Sequence, residues 1–189
     1  MKNKIIEIKN YLKNISSNIN ITNKEIIKLI EIKKALIKAK KNKNKVLIFG
    51  NGGSSSIASH FAIDLIKNFK MRCLNFNDNS LLSCFSNDYG FDKWILKSIE
   101  IFADKQDIII FISSSGKSKN MIEGIKFAKK RKIKNLITFT GGNKNNPLSK
   151  KSYISLWVNS NIYNYIENTH QILLLSIIDS INLNKLRNF

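Results

Sequence analysis

Proline occurs once in these 189 residues, at Pro147, and cysteine twice, at Cys73 and Cys84. A single proline leaves no proline-rich linker to divide the chain, and the length fits one domain with a full core. Two cysteines supply neither a disulfide framework nor a thiolate metal cluster, so a reducing cytoplasm is the expected compartment. Long apolar runs are missing too. A membrane helix needs roughly 18 consecutive apolar residues. The best candidate, 172–181, contains Ser176, Asp179 and Ser180 and reads as a buried helix. Residues 1–14 are charged and periodic, without the apolar centre of a signal peptide.

Acidic residues and arginine are also scarce. Thirteen Asp and Glu stand against 32 Lys and Arg, a formal charge of +19, and only Arg72, Arg131 and Arg187 are arginines. Such a charge first suggests a nucleic-acid partner. The cations are nearly all lysine, however, and asparagine and isoleucine are abundant beside them. That joint skew points to an AT-rich genome, and the chain has no basic stretch interleaved with aromatics of the RNA-binding kind. Nucleic acid is therefore not the expected partner, while the charge still attracts anionic substrates.

Apolar residues then supply the architecture. Ile5, Ile6, Ile8, Tyr11, Leu12 and Ile15 recur at helical spacing. A second helix is expected from Thr22, with Thr22 and Glu25 spaced as a capping box. From Lys45 the pattern changes to short apolar runs at 46–49, 72–76, 108–112, 135–140 and 154–158. Helical segments at about 55–69, 81–86, 93–103 and 118–131 alternate with them, and a long helix is expected from Tyr163 to Leu186. Continuous apolar strands alternating with helices imply a parallel sheet covered on both faces. The expectation is one domain over 1–189: a helical extension at 1–44 and an α/β core at 45–189.

Two loops of small residues follow two of those strands. Gly50-Asn51-Gly52-Gly53-Ser54-Ser55-Ser56 follows the first run, and Ser113-Ser114-Ser115-Gly116-Lys117-Ser118 follows the third. A strand, a hydroxyl-rich loop and a helix form a phosphate cradle, because helix N-termini present unpaired N–H groups with partial positive charge. Turn chemistry alone accounts for one such loop; two in equivalent positions favour a phosphorylated ligand gripped from two sides. Gly116-Lys117-Ser118 is not the end of a nucleotide P-loop, since Phe111 stands where that motif needs glycine. The dinucleotide fingerprint fails at Ser55.

Taken in order, Gly50-Asn51-Gly52-Gly53-Ser54, His60-Phe61-Ala62, Ser86-Asn87-Asp88-Tyr89-Gly90-Phe91 and the second serine loop resemble the sugar isomerase (SIS) domain family over almost the whole chain. The resemblance implies a three-layer α/β sandwich and homotetramers with active sites at subunit interfaces. It also implies interconversion of sedoheptulose 7-phosphate and D-glycero-D-manno-heptose 7-phosphate, for heptose and lipopolysaccharide precursors. Carried over, Ser113, Ser114, Ser115 and Ser118 hold the phosphate. Asn51, Gly52, Gly53 and Ser54 line the sugar site, with Asn87 and Asp88 near its hydroxyls. His60, Asp64 and Glu167 correspond to zinc ligands, Asp64 in place of Glu and Glu167 in place of Gln, and Asp64 or Glu167 serves as base.

His60 and Asp64 are four apart and share a helix face, where His and carboxylate can chelate a metal or make an ordinary polar pair. Aldose–ketose isomerisation needs a base beside a carbonyl and a group to steady the enediol. The family's last helix carries a His eight residues after the Gln position. Leu175 stands there, and leucine neither ligates nor transfers a proton. His170 resembles another family His on the same helix, closer to the Gln position, and otherwise reads as a core or interface histidine. Two readings follow: an isomerase with His60, Asp64 and Glu167 on zinc, or a phosphosugar-binding module that acts through protein partners.

Overall fold

The strands expected from the apolar runs form one five-stranded parallel sheet in the computed structural model, which describes residues 2–182. In chain order the elements are α1 (Lys2–Ile19), α2 (Asn23–Lys41), β1 (Val46–Gly50), α3 (Gly53–Lys67), β2 (Cys73–Asn75), α4 (Asn79–Tyr89), α5 (Trp94–Phe102), β3 (Ile108–Ser113), α6 (Lys119–Lys130), β4 (Asn135–Thr140), β5 (Ile154–Trp157) and α7 (Tyr163–Ile181). The closing helix ends at Ile181 with Asn182 as its C-cap, short of the expected Leu186; residues 183–186 lie outside the described residues.

Strand order is β2-β1-β3-β4-β5, with Val46 beside Ile108 and Gly50 beside Ile112. Every residue of β1 and β3 is buried, as continuous apolar runs at a sheet centre require. The edge strand β5 instead alternates, Ile154 and Leu156 buried and Ser155 and Trp157 half-buried. Two cores flank the sheet. Ile48, Ile110 and Phe139 face α2, α3 and α7. Leu47, Phe49, Ile109 and Phe111 face α5 and α6, with α4 packed behind partly buried Leu81, Leu82 and Phe85. Phe49 stacks on Phe76 at 5.0 Å and meets the Trp94 ring at 5.8 Å.

The expected helical extension divides. Ile32, Leu36 and Ala39 of α2 lie inside the core, so α2 is a structural member of one layer. Its start is the capping box read from the sequence: Thr22 N–H donates to the Glu25 carboxylate at 3.2 Å, and the Thr22 hydroxyl meets the same group. Helix α1 lies outside, against α7 through Tyr11 and Tyr165, whose rings stand 4.9 Å apart. It leaves Ile5, Ile6, Ile8 and Leu12 exposed.

Candidate functional site

Strand β1 connects to β2 on one side, and the chain then returns to place β3 on the other. That reversal is a topological switch point, and a crevice opens beyond the strand ends there. Helix α3 leaves β1 on one face and α6 leaves β3 on the other, so both serine loops border the crevice.

Local chemistry shapes each loop. A Cβ on Gly50 would lie 2.1 Å from the Ser54 carbonyl oxygen, so only glycine lets α3 turn back so tightly. Gly52 takes a left-handed φ of 53° at the N-cap of α3. In the second loop the Gly116 N–H donates to Ser113 O at 3.1 Å and Ser113 Oγ at 3.2 Å, and the Lys117 N–H to Ser115 Oγ at 3.2 Å. The Gly141 N–H pins Ser114 O at 3.0 Å. Ser54, Ser113 and Ser114 are buried, while Asn51, Ser115 and Ser118 are half-buried at the crevice. Beside the second loop a cavity of about 250 Å³ is bounded by Ser114, Ser115 and Lys117 on one side and Asn143, Asn161 and Tyr163 on the other.

Asn120 ties the loops together and was not singled out by the sequence. Its amide and that of Asn51 exchange two hydrogen bonds, at 3.1 and 3.0 Å, and its Oδ1 also accepts the Met121 N–H at 2.9 Å. Asn120 is 1% exposed. A polar residue inside the buried stripe of α6, next to Met121 and Ile125, was the available signal.

Glu167 stands where the two loops meet. Its carboxylate accepts from Ser114 Oγ at 3.2 Å, and a Cβ on Gly53 would lie 2.2 Å from its Oε2. His60 and Asp64 lie farther along α3, with His60 Nε2 3.6 Å from Asp64 Oδ2. The expected three-ligand set is not assembled within one chain. Among the described residues no three His, Cys, Asp or Glu side chains come together to hold a metal ion. The reason is register: Glu167 faces Gly53, and His60 is seven residues on, about 10 Å along the helix. The residue that meets His60 is Gln171, one turn after Glu167, with Nε2 3.3 Å from His60 Nδ1. The sequence reading passed it over, although i,i+4 spacing from Glu167 places it on the same face.

His170 is a core residue. Its Nε2 donates to Thr140 O at 3.2 Å, and Nδ1 is buried with no hydrogen-bond partner among the described residues. Burial drives its pKa down to about 4, partly offset by the Thr140 bond, so the ring is neutral. Leu175 lies half-buried one turn past Gln171. Asn87 and Asp88 sit exposed at the end of α4, bonded to each other at 3.0 Å, with Cys84 Sγ 3.7 Å from Asp88; the described hydrogen bonds do not join them to the loops.

Parallel strands, a switch-point crevice and two loops rich in hydroxyl and N–H donors define a doubly wound α/β protein whose ligand site suits a small anion. Residues 9–141 match the SIS domain family, and the chain belongs to it. It is 37% identical over 138 residues to a phosphoheptose isomerase of Thermodesulfovibrio yellowstonii, covering 69% of this chain and 68% of that one. A phosphoheptose isomerase of Aliarcobacter butzleri is 36% identical over 144 residues, covering 72% and 75%. The matched stretch thus spans about two thirds to three quarters of these relatives. The structure of a phosphoheptose isomerase from Francisella tularensis superposes with a TM-score of 0.86 at 26% identity, covering 95% of this chain and 98% of that one.

Proposed function

We propose that this protein is an aldose–ketose isomerase of a phosphorylated sugar, interconverting sedoheptulose 7-phosphate and D-glycero-D-manno-heptose 7-phosphate. One observation carries the reading: the Glu167 carboxylate stands at the junction of the two serine loops, against Gly53 and Ser114. A phosphate cradle therefore continues directly into a carboxylate that can hold sugar hydroxyls.

The order of groups along α3 assigns roles. The phosphate lies at one end of a seven-carbon sugar and the carbonyl at the other. With the phosphate on Ser113, Ser114, Ser115 and Ser118, the chain of hydroxyls passes Glu167 and leads toward His60 and Asp64, about two turns on. Asp64 is then the base. It takes a proton from the hydroxyl-bearing carbon beside the carbonyl and returns it to the former carbonyl carbon, while the hydroxyl proton passes to the former carbonyl oxygen, so an enediol forms and collapses with no net change in protons. Asn51 steadies the sugar, held in place by Asn120.

Assembly follows the same reasoning. Ile5, Ile6, Ile8 and Leu12 on α1 and Ile26, Ile27 and Ile30 on α2 are exposed apolar side chains that a second copy would cover. We take the assembly to be the homotetramer that the resemblance implies, in the cytoplasm. No helix among the described residues is long and apolar enough to cross a membrane.

Leu175 favours a second reading, in which the crevice binds a phosphosugar without turning it over. The experiment is a turnover assay with sedoheptulose 7-phosphate, alongside calorimetry. Binding weakened by Ser115→Ala and turnover abolished by Asp64→Ala support the isomerase. Binding without turnover supports the module, and binding of no sugar phosphate refutes both.

A further inference from the structure

We propose that the face at the amino ends of β4 and β5 binds single-stranded nucleic acid, in a groove that joins an exposed tyrosine to a set of lysines. It lies at the opposite end of the sheet from the serine loops. β4 has six residues, so about 20 Å separates the two sites. The proposal is independent of the sugar-phosphate reading. A cavity of about 520 Å³ opens at this end. Buried Ile133 and Leu136 line it together with Tyr153, which is 78% exposed. Lys129, Lys132, Lys134 and Lys151 border it as well. The segment that carries Lys151 and Tyr153 is fixed in place. Ser152 Oγ and Thr138 Oγ1 share a hydrogen bond of 2.9 Å, and the Tyr153 N–H donates to Leu136 O at 2.8 Å. The tyrosine ring is thus offered to solvent from a held backbone.

Charge here is one-sided. Between Glu123 and Glu167 the chain has no Asp or Glu. None of the four lysines forms an ion pair among the described residues. Helix C-termini favour lysine, and a lysine-rich composition supplies it, but neither calls for lysine in left-handed backbone. Lys132 takes a φ of 60°, where glycine or asparagine fits with less strain. Lys43 and Lys70 do the same, at 57° and 53°, in the turns that enter β1 and β2 at this end of the sheet. With Lys40 and Arg72 they border a second cavity, of about 410 Å³. Cations therefore stand at both sides of the sheet end.

Charge complementarity makes the partner a polyanion, and the ring decides which one. Lysine point charges suit a phosphate backbone, and an exposed aromatic beside them gives a base a face to stack on. An acidic peptide would engage the lysines alone. No basic stretch interleaved with aromatics is visible in the sequence, because the groove draws lysines from 129–134 and its ring from position 153.

Fluorescence anisotropy of the full chain with a labelled oligothymidylate of about 12 nucleotides tests this. Binding should be present at low salt. It should weaken with a log–log salt slope of about −2 to −3, as three or four phosphate contacts at about −0.7 each require. Tyr153→Ala should weaken binding about tenfold and keep the slope. Its side chain is exposed, so Tm should hold. Lys132→Gly relaxes the left-handed turn, so the protein stays folded, and it should reduce the slope by about 0.7. Lys34→Gln removes the same charge from an exposed position on α2 and should leave binding and slope as they were. Absence of binding at low salt overturns the proposal. Equal losses from Lys132→Gly and Lys34→Gln, with Tyr153→Ala silent, overturn it in favour of bulk charge alone. Capture of oligoglutamate but not of the oligonucleotide overturns it in favour of an acidic protein.

Discussion

Gly53→Ala should disable the site while leaving the fold intact. The added methyl would lie 2.2 Å from Glu167 Oε2, 2.8 Å from Cδ and 3.0 Å from Oε1, where ordinary contact begins near 3.4 Å. The obstacle is the far end of a flexible side chain, and the backbone at Gly53 is helical, so the carboxylate retreats by about 1 Å and the helix stays. That retreat breaks the 3.2 Å bond from Ser114. Misplacement of about 1 Å in a positioned group costs on the order of a hundredfold in rate, or about 2.7 kcal/mol. The restriction of the unfolded chain by alanine, about 0.4–1 kcal/mol, is offset by the lost Ser114 bond, about 0.5–1.5 kcal/mol, so stability should change little. Thermal unfolding and turnover of sedoheptulose 7-phosphate should therefore separate: Tm within a few degrees of the parent, kcat/KM down about a hundredfold. Adding Glu167→Asp shortens the carboxylate and should recover part of the loss. Gly50→Ala makes the contrast, because its methyl would meet the Ser54 backbone at 2.1 Å and α3 itself must yield. Turnover of Gly53→Ala within twofold of the parent, or a Tm that collapses with activity, refutes the reasoning.

Asn120→Leu strands the Asn51 amide and the Met121 N–H, so unfolding experiments should show a loss of about 1–3 kcal/mol; sugar-phosphate binding should weaken as the loops part. Combined with Asn51→Leu, the losses should be strongly non-additive, a coupling that a double-mutant cycle reads directly. His170 gives a pH test. Its pKa falls from 6.5 to about 4 on folding, so the unfolded chain binds a proton that the native state refuses. Stability is complete above pH 6.5 and declines toward pH 4, by up to about 3 kcal/mol. Urea unfolding at pH 7 and pH 5 should show the decline, and His170→Asn should flatten it.

Where a residue's fate depended on its near neighbours in sequence, the sequence was a good guide. The β1 and β3 runs read as central strands because nothing in them is polar, and both are buried throughout. Helix α4 runs further than its apolar residues suggested, Asn79–Tyr89 against the expected 81–86. Asp78 caps it, accepting from the Leu81 N–H at 2.9 Å, and Gly90 follows its last turn. Those signals were present and outweighed by a weak apolar period. Helix α3 likewise begins two residues before the expected start, because consecutive glycines hide the first turn. Both serine loops were placed correctly at the sheet end. The ligand set was different in kind. His60 and Asp64 share a face by local geometry, but the residue opposite them depends on the register of α7 against α3. Gly53 sets that register by leaving room for Glu167, which puts Gln171 rather than Glu167 beside His60. Asn120 is hidden for the same reason, since its partner Asn51 is 69 positions away.

That register separates grip from chemistry. The first serine loop runs into the first turn of α3, where Glu167 of α7 meets Gly53, and Leu175 lies eight residues past Glu167, about 12 Å along α7. A leucine at that distance leaves the hydrogen bonds of Ser113, Ser114 and Asn51 untouched. Its influence is confined to the end of the groove that holds His60 and Asp64. Variants there should change kcat and spare the dissociation constant for the sugar phosphate, whereas variants at Ser115 or Asn120 should do the reverse. Asp64→Asn is the deciding case. It removes the carboxylate proposed as base and keeps every donor of the two serine loops, so binding should survive the loss of turnover. If binding falls with turnover, the sugar does not lie along α3 with its phosphate in the serine loops, and the assignment of Asp64 as base falls with that pose.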